Sequence, residues 1–187
     1  MPNGQLRIIG GKWRRRKISF SEVPGLRPSP DRVRETLFNW LQLEIPGAKC
    51  LELYAGSGIL SLEALSRGAA QVTLVDKSPI VHRQLLTTFE SIQAHDYNIS
   101  CCPATDFLQD TSESYDVIFL DPPFDSDEFS LTLPILGSVM HEKSYLYVET
   151  SHEITTLDGF SKYRGNRAGN VYYYLFVPLA GCHGPYR

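Results

Sequence analysis

Cys50-Leu51-Glu52-Leu53-Tyr54-Ala55-Gly56-Ser57-Gly58 is the stretch that decides the fold. It reads as a short buried strand running into Gly-x-Gly, followed by an apolar segment, 59–67, of helical length that stops at Gly68. Glycines after a first strand let the backbone approach a ligand closely, and the N-terminus of the next helix favours electron-rich ligand atoms. Gly-x-Gly alone is a weak signal. A dinucleotide fingerprint would place a third glycine where Ser61 stands, which disfavours a pyrophosphate ligand. Eighteen residues past Gly58, Val72-Thr73-Leu74-Val75 reads as a second strand delivering Asp76 to its C-terminal end, where a carboxylate grips ribose hydroxyls. The plainer use of Asp76 is to lead into the next helix, with Ser78 as cap and Pro79 as first helical residue.

Working outward, strand and helix patterns alternate. Residues 49–54, 71–75, 98–102, 116–120 and 144–149 read as strands, and 59–67, 79–94 and 127–138 as helices. That order predicts an α/β fold with a parallel sheet covered on both faces. Ahead of it, Asp31 is a candidate N-cap for a helix to about Leu43, with Val33, Leu37, Trp40 and Leu41 on one face and Pro46-Gly47 ending it. Behind it, residues 161–163 and 171–177 form a closing antiparallel pair joined by the loop 164–170. With 187 residues and 42% hydrophobic content, one domain with a sizeable core is expected, plus a short appendage. The expected division is a basic arm over 1–30, a main α/β domain over 31–180 and a loose tail over 181–187.

The second informative segment is Asp121-Pro122-Pro123-Phe124, directly behind the apolar run Val117-Ile118-Phe119-Leu120. Two prolines fix φ near −65° and remove two backbone N–H groups, so the turn presents carbonyl oxygens and one carboxylate with nothing to donate. Such an acceptor-only cradle suits a planar amino group, whose two hydrogens need two acceptors and whose π-system can stack on the Phe124 ring. The bland alternative is an Asp-Pro turn capping a buried strand.

Overall charge is −3, which hides a division along the chain. Residues 1–34 carry nine Lys or Arg against two acids, net +7, while the remainder carries nine against nineteen, net −10. A basic arm on an acidic body points to polyanion binding through the arm, because neutralising phosphates releases counterions. Arg14-Arg15-Arg16-Lys17 beside Trp13 also offers guanidinium and indole surfaces on which unpaired bases stack. A charge run that only solubilises is the competing reading. Gly10-Gly11 and the β-branched residues around it favour a short hairpin over a disordered tail.

Four blocks now stand in order: Arg7-Ile8-Ile9-Gly10-Gly11-Lys12-Trp13; Arg27-Pro28 through Asp31-Arg32-Val33-Arg34-Glu35-Thr36-Leu37-Phe38-Asn39; the Glu52 to Gly58 loop; and Asp121 to Phe124. Together they resemble the bacterial small-subunit ribosomal RNA methyltransferase D family, from about residue 5 to 177. The resemblance implies a Rossmann-like, class I S-adenosylmethionine-dependent methyltransferase with a mostly parallel seven-stranded sheet. It implies methyl transfer from S-adenosylmethionine to the exocyclic N2 of a guanine in 16S rRNA, within an assembling small ribosomal subunit and by a monomer.

On that resemblance, Asp121, Pro122, Pro123 and Phe124 are the catalytic set. Glu52, Tyr54, Ala55, Gly56, Ser57 and Gly58 face the methionine portion of the cofactor, Asp76 the ribose, and the Lys77 stem the adenine. The family often sets an acid or amide before an Ala, with Phe three positions after it; here Ala104 and Phe107 match but Pro103 takes the polar position. Backbone at Ala104 and Thr105, with Asp106 as a substitute acid, is the expected adenine contact. RNA contacts are expected from Arg7, Lys12, Trp13, Arg14, Arg15, Arg16, Lys17, Arg27, Arg32 and Arg34.

Other classes fare worse. Adenine-N6 and protein-glutamine methyltransferases use a similar cradle, commonly opened by Asn rather than Asp, and a non-catalytic RNA-binding factor could retain the same pocket. Nicotinamide oxidoreductases have no use for Asp-Pro-Pro-Phe. Cys50, Cys101, Cys102 and Cys182 lack paired C-x-x-C spacing, so neither disulfide nor metal site is expected. No run reaches the roughly 18 apolar residues of a membrane span, and the first residues lack a secretory core, so the expected location is cytoplasmic.

Overall fold

The computed structural model describes residues 3–21, 30–124 and 126–179. A hairpin of β1 (Asn3–Arg7) and β2 (Lys17–Ser21) comes first, then α1 (Asp31–Trp40). The alternating body follows: β3 (Lys49–Leu53), α2 (Ile59–Ser66), β4 (Gln71–Val75), α3 (Pro79–Ser91), β5 (Tyr97–Ser100), α4 (Ala104–Asp110) and β6 (Tyr115–Leu120). Next come α5 (Glu128–Thr132), a 3-10 segment (Leu133–Val139), and the strands β7 (Met140–Thr150), β8 (Phe160–Ala168) and β9 (Val171–Pro178).

Seven strands form one sheet in the order β5-β4-β3-β6-β7-β9-β8. The five from β5 to β7 are parallel, and β9 and β8 close the sheet as an antiparallel hairpin. Chain order reverses between β3 and β6, where open α/β sheets bind their ligands. The central strands are buried on both faces, as parallel strands between helix layers must be. Cys50, Val117, Phe119 and Tyr147 face the layer holding α1, α2 and α3; Leu51, Leu53, Ile118 and Leu146 face the opposite cluster.

Ile8 and Ile18 of the hairpin lie in the first of these cores, so the basic arm is packed into the body rather than tethered to it. The backbone N–H groups of Ile9 and Gly10 donate to the Glu63 carboxylate (2.5 and 3.3 Å), and Trp13 N–H donates to Ser66 Oγ (2.9 Å).

The larger differences from the sequence reading each have a local cause. Asp31 is the first helical residue of α1, not its cap, because its carboxylate pairs with Arg34 one turn on; Pro30 occupies the cap position. The expected helix over 127–138 splits after Thr132, where Pro134 cannot donate the next helical hydrogen bond. Helix α4 was not expected, its seven residues being too few for a clear period. Strand β8 continues through residues read as loop, up to Ala168, and turns at Gly169 with φ +61°. It is an edge strand exposed along most of its length, so it needs no apolar alternation, and Lys162, Arg164 and Arg167 guard it against edge pairing.

Candidate active site

The glycine loop is shaped by positive φ at Tyr54 (58°), Gly56 (50°) and Gly58 (69°), which turns the chain from β3 into α2 within five residues. A Cβ on Gly58 would stand 2.6 Å from Leu85 Cδ2 and 3.0 Å from Leu74 Cδ2, so the loop is pressed against α3 and β4. Gly58→Ala should therefore cost about 1–3 kcal/mol of stability through overpacking and backbone strain. Thermal melts with a parallel cofactor titration check this, and an unchanged melting temperature would mean that the loop relaxes freely.

Asp76 stands one residue beyond β4. Its Oδ2 accepts from Gly56 N–H (3.1 Å) and its Oδ1 from Ser78 N–H (2.9 Å), while Ser78 caps α3 with Pro79 as first helical residue. Both uses foreseen for this segment thus coexist. Each carboxylate oxygen has a second lone pair, so the clamp orients Asp76 without exhausting it.

Glu52, fully buried on β3, accepts from Ser61 N–H (2.9 Å) at the start of α2. The residue standing where a dinucleotide fingerprint has glycine is thereby tied to a buried acid. Burial pushes the Glu52 carboxyl up to about 7, against hydrogen bonds from Ser61 and Leu60 and with a smaller push from Asp76.

Asp121 emerges at the end of β6, next to β3 in the sheet, and is partly exposed. Pro122 is buried; Pro123 and Phe124 are exposed, and the Pro123 carbonyl accepts from Ser126 Oγ (2.7 Å). Desolvation raises the Asp121 carboxyl well above the usual carboxylate range, and the Glu149 and Glu52 carboxylates add to the rise.

Three residues that the sequence reading missed complete the surroundings. Glu149 of β7 is buried and accepts from the Tyr147 hydroxyl (2.8 Å). Glu128 and Thr132 of α5 meet the Tyr54 hydroxyl at 3.0 and 2.5 Å, and Glu128 also pairs with Lys77 Nζ (2.7 Å). The loops after β3, β4 and β6 are thus sewn together at one carboxylate. Lys77, expected to cover adenine, directs its ammonium to that knot. The signal that could have found Glu149 is the one that found Asp76 and Asp121, an acid at the C-terminal end of an apolar strand.

Ala104 is buried at the start of α4, with Thr105 half-buried and Asp106 exposed in the first turn. Pro103 holds the cap position, and Thr105 Oγ1 donates to Asp106 Oδ1 (3.2 Å). These residues follow β5, on the same edge of the sheet as Asp76, whose N–H donates to Ser100 O (3.2 Å).

The basic residues are distributed differently from the expectation. Lys12, Arg14, Arg15, Arg16, Lys17 and Arg32 are exposed, with Lys12 Nζ 4.3 Å from the Trp13 ring centroid, and Arg7 reaches Asp31 at 3.4 Å. Arg16 donates to the carbonyls of Ser91 and Ile92 (3.1 and 3.4 Å), closing the C-terminal end of α3. Arg27 lies outside the described residues. Arg34 requires a correction. Its side chain is fully buried and donates to Glu63 (2.9 Å), Asp31 (2.5 Å) and the Arg7 carbonyl (3.0 Å), so it fastens the hairpin to the body and presents nothing to RNA. Trp13 meets Ser66, the last residue of α2, so the hairpin tip and the glycine loop sit at opposite ends of that helix, about 12 Å apart.

A family model described as Conserved hypothetical protein 95 matches residues 6–177. The chain is 40% identical over 179 residues to Ribosomal RNA small subunit methyltransferase D of Escherichia coli strain K12, covering 93% of this chain and 90% of that one. It belongs to the small-subunit ribosomal RNA methyltransferase D family. The methyltransferase D of Haemophilus influenzae is 37% identical over 184 residues, covering 92% of this chain and 94% of that protein. Among solved structures, a putative methyltransferase yhhF from Escherichia coli superposes with a TM-score of 0.84 at 41% identity, over 94% of this chain and 98% of that one. The seven-stranded Rossmann-like fold of this methyltransferase D family member is therefore shared with its relatives, and the family's cofactor, S-adenosylmethionine, fits the cleft. Two glycines with positive φ open the backbone and an oriented carboxylate stands at the next strand end, as a nucleoside-bearing ligand requires.

Proposed function

We propose that this enzyme methylates the exocyclic N2 of a guanine in 16S rRNA, on an assembling small ribosomal subunit, acting as a cytoplasmic monomer. Membership of the methyltransferase D family carries the coarser statement, small-subunit rRNA methylation. The observation supporting the amino acceptor is Asp121 with two prolines and an exposed phenyl ring, one strand away from the glycine loop.

S-adenosylmethionine, when bound, supplies a methyl group already activated on a sulfonium. The chain's residues must align the acceptor. An aryl amine's lone pair is delocalised into the ring, so the amine is a poor nucleophile until its hydrogens are held. The Asp121 carboxylate and the Pro122 carbonyl accept those two hydrogens and aim the emerging lone pair, while Phe124 stacks on the base. Positioning of this kind supplies much of the acceleration. Asp76 offers its remaining lone pairs to ribose hydroxyls, and the loop from Tyr54 to Gly58 offers backbone to the methionine portion. Ala104, Thr105 and Asp106 flank the adenine side. The target base must be unpaired or flipped, because a duplex shields its amino group.

The exposed arm cations hold phosphates of the same RNA, positioning the strand without reading sequence. Replacing Arg14, Arg15 and Arg16 together by Ala should weaken RNA binding and flatten its salt slope by about two to three units, with cofactor affinity unchanged. Titrations across a salt series check this; an unaltered slope would make the arm a bystander. The function itself is tested by labelled methyl transfer to naked 16S RNA and to small-subunit particles in parallel, followed by nucleoside identification. N2-methylguanosine formed on the particle is the expected product, and methyl on adenine or protein would refute the acceptor.

A further inference from the structure

The sheet register carries a carboxylate pair into the site. Strands β6 and β7 run parallel, with Phe119 opposite Tyr147 and Leu120 opposite Val148. One step further along both strands, Asp121 and Glu149 fall side by side, on the face that already carries Phe119 and Tyr147. Adjacent strands lie about 4.8 Å apart, so two acids on one face are close neighbours. Glu149 is held by the Tyr147 hydroxyl at 2.8 Å and covered from β9 by Tyr173, its partner across the strand, on which Trp40 of α1 stacks. Two like charges so placed, one of them buried, share protons, and the second ionisation is hard.

We propose that Glu149 is a positioning residue for methyl transfer: fixed by Tyr147, it makes Asp121 the acceptor of the proton that the nitrogen sheds after methylation. This rests on the amino-acceptor reading above. The step balances without a further reactant. The nitrogen lone pair forms the N–C bond, and the S–C bond breaks with its pair left on sulfur. The N–H bond then breaks with its pair left on nitrogen, and the proton goes to an Asp121 oxygen, from which water removes it. Alone and solvated, Asp121 would be a weak base; desolvation, with Glu149 beside it, raises its carboxyl well above the usual carboxylate range and makes it a better proton acceptor.

The groups facing Asp121 are Glu52 from β3, and Glu149 and Tyr147 from β7, with Tyr173 of β9 behind Glu149. Only ionised Asp121 can take the proton from the methylated nitrogen, so wild-type single-turnover rates should fall as pH drops, beginning above the ordinary carboxylate range. Removing the neighbouring charge with Glu149→Gln should move that acid limb at least one pH unit lower and reduce the plateau rate about tenfold, with cofactor affinity unchanged.

Stability gives a second readout. The raised carboxyls of Asp121 and Glu52 bind protons more tightly folded than unfolded. Their contribution is complete at acid pH, below the unfolded values, and is lost as pH rises through the folded ones. Glu149→Gln should therefore melt higher than wild type at alkaline pH while transferring methyl more slowly, a combination that a merely structural residue would not give. Glu149→Asp, which keeps a carboxylate but withdraws it, should place the limb between the two and serves if the Gln variant fails to fold. An acid limb unmoved in the folded variants overturns the proposal. A wild-type enzyme that methylates no amino group would instead overturn the reading beneath it.

Discussion

Asp121→Ala is expected to slow methyl transfer by two or more orders of magnitude while leaving cofactor affinity close to wild type. The loss is large because Asp121 is the one charged acceptor in a turn stripped of donors by Pro122 and Pro123, and aligned electrostatic groups are worth that much in closed sites. Cofactor affinity should persist because the contacts proposed for it come from the ends of β3, β4 and β5, where Asp76 and Glu52 hold the geometry independently of Asp121. Removing the carboxylate beside Glu149 also relieves repulsion, so the variant should fold at least as well as the parent. Asp121→Asn keeps one acceptor oxygen and should fall between the two. Single-turnover rates with saturating cofactor decide the matter; turnover within a few-fold of wild type would remove Asp121 from the chemistry.

Arg34→Ala has the largest expected effect on stability, about 3–5 kcal/mol, because it leaves the fully buried Glu63 carboxylate without its main counter-charge. Arg67, whose Nε lies 3.3 Å from the same carboxylate, compensates only partly, since it is also spread over the Phe38 ring at 5.0 Å. Replacing the pair together, Arg34→Met with Glu63→Leu, should recover part of the loss. Recovery stays incomplete because Glu63 also accepts from the backbone of Ile9 and Gly10, which a leucine cannot satisfy. Urea unfolding of the three variants measures each difference; a loss under about 1 kcal/mol for Arg34→Ala would show the pair to be replaceable by water.

Much of this molecule was legible before its structure. The parallel body was readable because each buried strand is a short apolar run ended by glycine, proline or an acid, and the acids Asp76 and Asp121 sit where such sheets bind ligands. What escaped was whatever depends on register or on distant pairs. Glu149 looks like an ordinary strand-terminal acid until β6 and β7 are aligned, and Glu128 gains meaning only when α5 folds back onto Tyr54 and Lys77. Arg34 illustrates the opposite error. Counted by charge, it belonged with the RNA-facing cations, yet its partner Glu63 is 29 residues away and on a different helix. Net charge along a chain says which segment is basic, not which cations face water.

The hairpin's attachment through Ile8, Ile18 and the Arg34–Glu63 pair has a consequence for how this activity can be lost. The hairpin proposed to grip the polyanion and the interior of the catalytic body are one cooperative unit, so damage to the first is felt as unfolding of the second. A folded molecule able to transfer methyl groups but indifferent to ribosomal RNA is then a state that trimming its front end does not produce.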